Sequence, residues 1–492
     1  MNYSETKNTT SLALLTDFYE ITMAYGFWKH NMHEQNAVFN LFFRSNPFDG
    51  GFTIAAGLET AIDYLNKFHF CRADIDYLRS LKGNDSRPLF DEKFLEYLTT
   101  MEFDCDVEAI QEGTVVFPNE PLIRVKGPIL QCQLIESALL NIINFQTLIA
   151  TKSARINLAA KGEPVMEFGL RRAQGIDGSI SATRAAFIGG CSGTSNVLAA
   201  YHLGIPALGT HAHSWVQAFE DEPAAFDAFA AALPTNTIFL VDTYNTPKGI
   251  DNAIEAAKKV EAQGYRIKGI RLDSGDLAYL SQLARKKLNE AGLQHMKIVA
   301  SNDLDEYLIS SLKQQEAAID SWGIGTKLVT AFDQPALGGV YKLAAIETKT
   351  GEWLDRIKLS EQSIKVNIPG IQQVKRFYRN GVMAGDMIYD QRKDLSGPVK
   401  MIDPSDPTRT KILDKASLSC EDLLVPVLKK GKCVYQQEPI LKLQQRTSQQ
   451  LDLLDKSIKR FVNPHIYPVG IEETLYNRRL ELIVKYKQDK QG

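Results

Sequence analysis

At 492 residues, with 44% apolar and 23% charged side chains and a formal net charge of −3, the chain has room for two or three domains and lacks the basic excess that binds nucleic acid. Its six cysteines (Cys71, Cys105, Cys132, Cys191, Cys420 and Cys433) form no C-x-x-C pair, as expected of reduced cytosolic thiols rather than a disulfide frame or a zinc knuckle. No apolar run reaches 18 residues and the start is unlike a secretory leader, so the expectation is a cytoplasmic protein with neither nucleic-acid nor membrane partners.

In chain order, residues 14–30 (LLTDFYEITMAYGFWKH) read as a helix, and residues 36–45, 113–117 and 122–127 read as strands. This mixture predicts an α+β N-terminal domain over residues 1–140. From about residue 164 to 346 the rhythm changes. Short apolar, β-branched runs at 164–169, 205–210, 237–243, 267–275, 297–303 and 320–326 each end in Gly, Asp, Thr or Ser. Helical stretches such as 246–264 and 277–292 follow them, each closing at a glycine. Six βα units in series predict parallel strands buried on both faces, hence an α/β fold with a barrel or barrel-like sheet over residues 141–350. Residues 351–492 carry a strand-like piece at 433–441 and a helix at 472–488, and read as a C-terminal flanking region.

Catalytic groups in a barrel collect at the C-terminal ends of the strands. Here those ends supply Phe168, Arg171 and Arg172, then Thr210, His211 and His213, then Asp242. Arg271, Asp273 and Ser274 follow, with Ser301, Asn302 and Asp303, and finally Gly323, Gly325 and Thr326. Arginines fork onto phosphate or carboxylate oxygens, and carboxylates hold ribose hydroxyls or Mg²⁺, so the set describes an anion site with acids alongside. The segment GIGTK (323–327) is a glycine-opened turn suited to a phosphate, but neither a P-loop nor a G-x-G-x-x-G fingerprint is present. Simpler roles exist for each residue: Asp303 as a helix N-cap, Phe168 as core, His211 as a satisfied loop histidine, Cys191 as incidental. The H-x-H of GTHAHSW (209–215) also admits a metal pair of the kind found in barrel hydrolases, and a nucleotide sensor without catalysis is a further alternative.

Seven motifs spread in order over residues 14–343 closely resemble the nicotinate phosphoribosyltransferase family: LLTDFYEITMAYGF (14–27), EFGLRRAQG (167–175), GTHAHSW (209–215), GIRLDSGDL (269–277), ASNDLDEY (300–307), GIGTKLVT (323–330) and LGGVYKL (337–343). The resemblance implies an incomplete (β/α) barrel of the type II phosphoribosyltransferase kind and a homodimer with shared active sites. It implies transfer of phosphoribosyl from phosphoribosyl pyrophosphate (PRPP) to nicotinate, the first step of NAD salvage from that base, coupled to ATP in a ligase-type reaction. By the same similarity, nicotinate lies between Phe168 and Tyr19 of the partner subunit, with Thr210 and Arg271 as further contacts. Arg171, Ser274, Gly323, Gly325 and Thr326 cradle PRPP phosphates. Asp242 and Asp273 stand on the ribose and Mg²⁺ side, the ion arriving with substrate rather than in a protein-held site. The residue before the alanine of the GT-x-A-H-S turn departs from the commonest pattern, since His211 stands there; the shared histidine, His213, is the one expected to become phosphohistidine. Nicotinamide-specific relatives are the nearest alternative.

Overall fold

The β-branched runs of the middle of the chain become a parallel sheet because both of their faces are apolar and both are covered. The computed structural model describes residues 11–360, 366–395, 397–414 and 417–488. Its chain folds as two compact units. One comprises Leu148–Pro335 and Ile440–Ser448; the other comprises Met1–Thr147, Ala336–Pro439 and Gln449–Gly492.

In the first unit the strands are β1 (Val165–Glu167), β2 (Gly193–Thr194), β3 (Ile238–Leu240), β4 (Gly269–Leu272), β5 (Lys297–Asn302) and β6 (Ser321–Ile324). They lie in the order β2-β1-β6-β5-β4-β3 and every pairing is parallel. The result is a half-barrel sheet. Five of the six expected strands are present. The run at 205–210 contributes only a bridge, Ala207 to Thr194, and the two-residue β2 takes the inner place beside it. Helices follow the strands as βα punctuation requires, including Thr246–Ala262 and Leu277–Glu290. Asn245, Asp276 and Asp305 cap three of them by accepting N–H bonds from the first turn, which satisfies donors the helix itself leaves open. The cap before Glu306–Gln314 is therefore Asp305, and Asp303 is left for the strand end.

A buried ion cluster fixes the segments after β5 and β6. Lys152 lies 2.7 Å from both Glu306 and Asp333, and Arg155 donates to Glu306 at 2.7 Å. Lys152, Arg155 and Glu306 are fully buried, so each charge persists there only because its neighbours oppose it.

The second unit holds a seven-stranded sheet in which Asn36–Phe42 lies between Ile123–Pro128 and Val340–Glu347, both antiparallel to it. A six-stranded sheet is built around Gln372–Arg379 and Val382–Asp390. Residues after 350 thus share sheets with the N-terminal segment, and the two compact units interleave along the chain. The strand expected over 433–441 is not formed beyond Lys432–Cys433. Pro439 sits at the N-cap and a helix, Ile440–Asp452, begins at once. Its apolar residues recur at helical spacing; Ile440 packs on Phe187, Ala200 and Ile205, and Gln444 donates to the carbonyls of Phe187 and Cys191.

Candidate active site

At the C-terminal ends of the parallel strands a cavity of about 410 Å³ opens, and Phe168, Arg171, Thr210, Arg271, Asp273, Gly323, Gly325 and Thr326 all reach it. Each stands at or just past a strand end, where the chain turns outward and its side chains are freed from the sheet. Phe168 is half-buried rather than core. Its ring lies on the backbone of β6, and a Cβ on Gly323 would come within 2.6 Å of it. Glycine at 323 is therefore what lets a flat aromatic face sit at the floor of the cavity. Glu167, buried beneath, accepts hydrogen bonds from Thr183, Thr194 and the Gly169 N–H, which holds the turn carrying the ring.

Arg271 projects from β4 with its side chain 15% exposed, donating to Thr210 Oγ1 at 2.7 Å and lying 3.4 Å from Asp273 Oδ1. Burial pulls its pKa down, opposed by Asp273 and Asp242. Its Nε has no hydrogen-bond partner among the described residues. A buried guanidinium so incompletely satisfied is a place for an anion. Arg171 and Arg172 add positive charge at the rim.

Asp242, Ser274 and His213 stand just behind the lining. Asp242 accepts the Asp273 N–H at 2.8 Å and the Ser274 hydroxyl at 2.7 Å through one oxygen, while its buried Oδ1 has no partner among the described residues. His213 opens the helix His213–Gln217, with Nδ1 3.1 Å from Thr243 Oγ1 and Nε2 3.9 Å from Asp273 Oδ2. Its side chain is 39% exposed. Tyr19 belongs to the other unit, on the helix Phe18–Lys29, where it is 46% exposed and its phenol pKa is raised by burial and by Glu136.

The two histidines of GTHAHSW differ in kind. His211 is 6% exposed, lies edge-on to Phe229, and its Nε2 accepts the Leu240 N–H at 3.1 Å. Burial drives its pKa down to about 4, so it is neutral at pH 7. The lone pair that the metal-pair reading would need is already engaged. The turn after β6 is followed by a single helical turn, Thr326–Val329.

The sequence matches models of three parts of one family: the nicotinate phosphoribosyltransferase N-terminal domain over residues 14–144, the nicotinate phosphoribosyltransferase family over 164–366 and the nicotinate phosphoribosyltransferase C-terminal domain over 371–479. It is 45% identical to the nicotinate phosphoribosyltransferase of Bacillus subtilis (strain 168), over 97% of this chain and 96% of that one. The chain belongs to the nicotinate phosphoribosyltransferase family. Among solved structures, human nicotinic acid phosphoribosyltransferase superposes with a TM-score of 0.82 at 30% identity, covering 95% of this chain and 99% of the human one. A nicotinate-nucleotide pyrophosphorylase from Pyrococcus furiosus shares the fold, with a TM-score of 0.68 at 23% identity over 92% and 97% of the two chains.

Asn302 and Asp303, read from the sequence as strand-end groups without an assigned role, also line the cavity, as does Ser195. Asn302 holds a positive φ of 126°, which a side-chain-bearing residue adopts only under constraint, and its Oδ1 accepts the Asp303 N–H. Its place in a run of polar residues closing β5 was the signal available in the sequence; the backbone conformation was not.

Proposed function

We propose that this cavity transfers the phosphoribosyl group of PRPP to the ring nitrogen of nicotinate, giving nicotinate mononucleotide and pyrophosphate and so starting NAD salvage from nicotinate. ATP hydrolysis is coupled to the transfer through transient phosphorylation of His213. The observation that carries the reading is the pairing, in one cavity, of an aromatic face with a buried, part-satisfied guanidinium, those of Phe168 and Arg271. A flat aromatic carboxylate needs both: a ring to lie against and a planar fork for its oxygens. Ser195 in the lining leaves that carboxylate unopposed, where an aspartate would repel it.

The ring nitrogen attacks C1 of the ribose as the C1–O bond to pyrophosphate breaks and the electron pair leaves with pyrophosphate. Asp273, steadied through its own N–H by Asp242, faces the positive charge that gathers on the ribose. Arg171 and the backbone around Gly323, Gly325 and Thr326 receive the phosphates, with Ser274 beside them. Mg²⁺ brought in by the diphosphate groups supplies charge neutralisation; Asp242, with one buried oxygen free of partners among the described residues, and Asp273 are the carboxylates that would hold it. Two carboxylates plus substrate phosphates is the coordination that ion accepts. Thr243 orients His213 through Nδ1, leaving Nε2 to attack the γ-phosphorus of ATP as the bond to ADP breaks. Water later takes the phosphoryl group from the histidine. Tyr19 of the partner subunit closes the ring site in a homodimer.

The test is product analysis with nicotinate or nicotinamide, each with PRPP, with and without ATP. Nicotinate mononucleotide and pyrophosphate should form in equal amounts, slowly without ATP and faster with it. Absence of nucleotide from nicotinate under every condition would overturn the reading.

A further inference from the structure

A flat sheet carrying Ala207 at one edge and β3 at the other would hold those edges roughly 29 Å apart, at about 4.8 Å per strand. Yet His211, four residues beyond Ala207, reaches the other edge: its Nε2 accepts the Leu240 N–H at 3.1 Å. Four residues span at most about 14 Å. Even with the reach of the imidazole added, the loop falls short of that separation, so the sheet must curl and bring its edges closer together, with the imidazole crossing what remains of the gap.

The Leu240 N–H is the group that most needs such a partner. In a parallel strand successive N–H groups alternate sides. Val241 N–H donates to the Arg271 carbonyl on β4, so Leu240 N–H points away from the sheet, toward the side where no further strand pairs. Leu240 is fully buried, and an unpaired buried N–H is costly. The neutral imidazole supplies the acceptor that a neighbouring strand's carbonyl would have supplied. Its other nitrogen, Nδ1, faces the Ala212 carbonyl at 3.4 Å and carries the proton. Helix Glu222–Ala232 covers the seam from outside: Phe226 packs on Phe239 of β3, Phe229 on the His211 ring, and the Ala225 carbonyl accepts from Trp215.

We infer that His211 is a positioning residue that closes the open seam of the half-barrel and thereby sets the register of the two loops that carry the chemistry. Along the crossing loop, alternate contacts fall to different partners: Thr210 receives the Arg271 guanidinium, His211 the Leu240 N–H, and His213 meets Thr243. Leu240 lies two residues before Asp242 and three before Thr243. The His211–Leu240 hydrogen bond is the backbone anchor of that crossing, and it holds the ring-binding side, Thr210 and Arg271, in register with the phosphoryl side, Asp242, Thr243 and His213. Arg271 and His213 are the charged and titratable neighbours that bear on the imidazole; both disfavour its protonation, which preserves it as an acceptor.

Two substitutions in the full chain separate the hydrogen bond from the packing. His211→Leu keeps an apolar body for the phenylalanines and removes the acceptor; His211→Gln keeps a carbonyl oxygen near the position of Nε2. Amide hydrogen exchange of the segment 238–243 reads the seam without any substrate, and kcat with KM for PRPP reads the loops. That kinetic half rests on the proposed transfer reaction, while the exchange half does not, so failure of one is distinguishable from failure of the other. The expected result for His211→Leu is exchange at Leu240 accelerated at least about tenfold and kcat lowered about tenfold, with KM for PRPP within about twofold. His211→Gln should restore most of both. Unchanged Leu240 exchange in His211→Leu, or a glutamine variant as impaired as the leucine variant in exchange and kcat, would overturn the inference. Should the leucine variant fail to fold, the glutamine variant decides alone: protection near that of the native chain supports the clasp, and lost protection contradicts it.

Discussion

In the proposed transfer, substrate choice turns on Arg271, whose planar side chain is buried and only partly satisfied by Thr210 and Asp273. Arg271→Lys keeps the charge and loses the fork. A point ammonium cannot make two parallel bonds to a carboxylate, and loss of a charge-assisted pair is worth about 1.5–3 kcal/mol, or roughly 10- to 150-fold. The loss should appear in kcat/KM for nicotinate and leave KM for PRPP nearly unchanged; equal weakening toward both substrates would assign Arg271 a general structural role. His213 carries a second expectation at this scale. Incubation with γ-³²P-ATP should give an acid-labile, alkali-stable label that is absent from His213→Asn and present in His211→Asn. Label retained by His213→Asn would refute the assignment. The sequence offered both histidines on equal terms apart from the motif's second position. What separates them physically is a backbone N–H 29 residues away, at Leu240, which no reading of GTHAHSW alone reveals.

At the scale of elements, the parallel strands were legible where buried β-branched runs were at least three residues long, as in TIFLVDT and KIVASND. Gly193–Thr194 was not, since two residues carry no periodicity, and the run at 205–210 holds its place through a single bridge. The segment 433–441 looked like a strand through Cys433, Val434 and Tyr435, but Pro439 cannot donate to a ladder and starts a helix well. The crossing loop also makes a stability prediction. His211 has a folded pKa of about 4 against about 6.5 when unfolded, so the unfolded chain binds a proton that the folded chain refuses. Its contribution is complete above about pH 6.5 and is lost as pH falls from there toward 4, by on the order of 3 kcal/mol. Urea unfolding at pH 7.5 and pH 5 should show a steeper loss for the native chain than for His211→Gln, which has no such group. Parallel losses in the two proteins would mean that other groups set the acid limit.

For the whole molecule, the βα order of the sequence brings the cavity residues together, whereas the interleaving of the two compact units is not legible in it. The strand ends converge as βα order requires, so Phe168, Arg171, Thr210, Arg271 and Asp273 meet in one cavity although more than 100 residues separate the first from the last. The joining of Val340–Glu347 to the N-terminal segment depends on long-range antiparallel pairing, such as Ala37 with Ile346, and local patterns do not encode that. Tyr19 belongs to the unit that does not hold the cavity, and its exposure is what a side chain destined for a second copy would show. Mixing inactive Tyr19→Ala and Arg271→Ala proteins under subunit exchange should restore part of the activity through hybrid sites; no recovery would count against a shared site.

Ser195, which lines the same cavity as Phe168 and Arg271, makes charge selection the central claim. The direct measurement is the ratio of kcat/KM for nicotinate over nicotinamide, with saturating PRPP and ATP, in the native chain and in Ser195→Asp. The native chain should prefer nicotinate by at least about 100-fold, as expected when a buried guanidinium is left unpaired by the neutral base, and Ser195→Asp should cut that ratio at least about tenfold by repelling the carboxylate. Comparable use of the two bases by the native chain, or a ratio unmoved by the aspartate, would contradict the account.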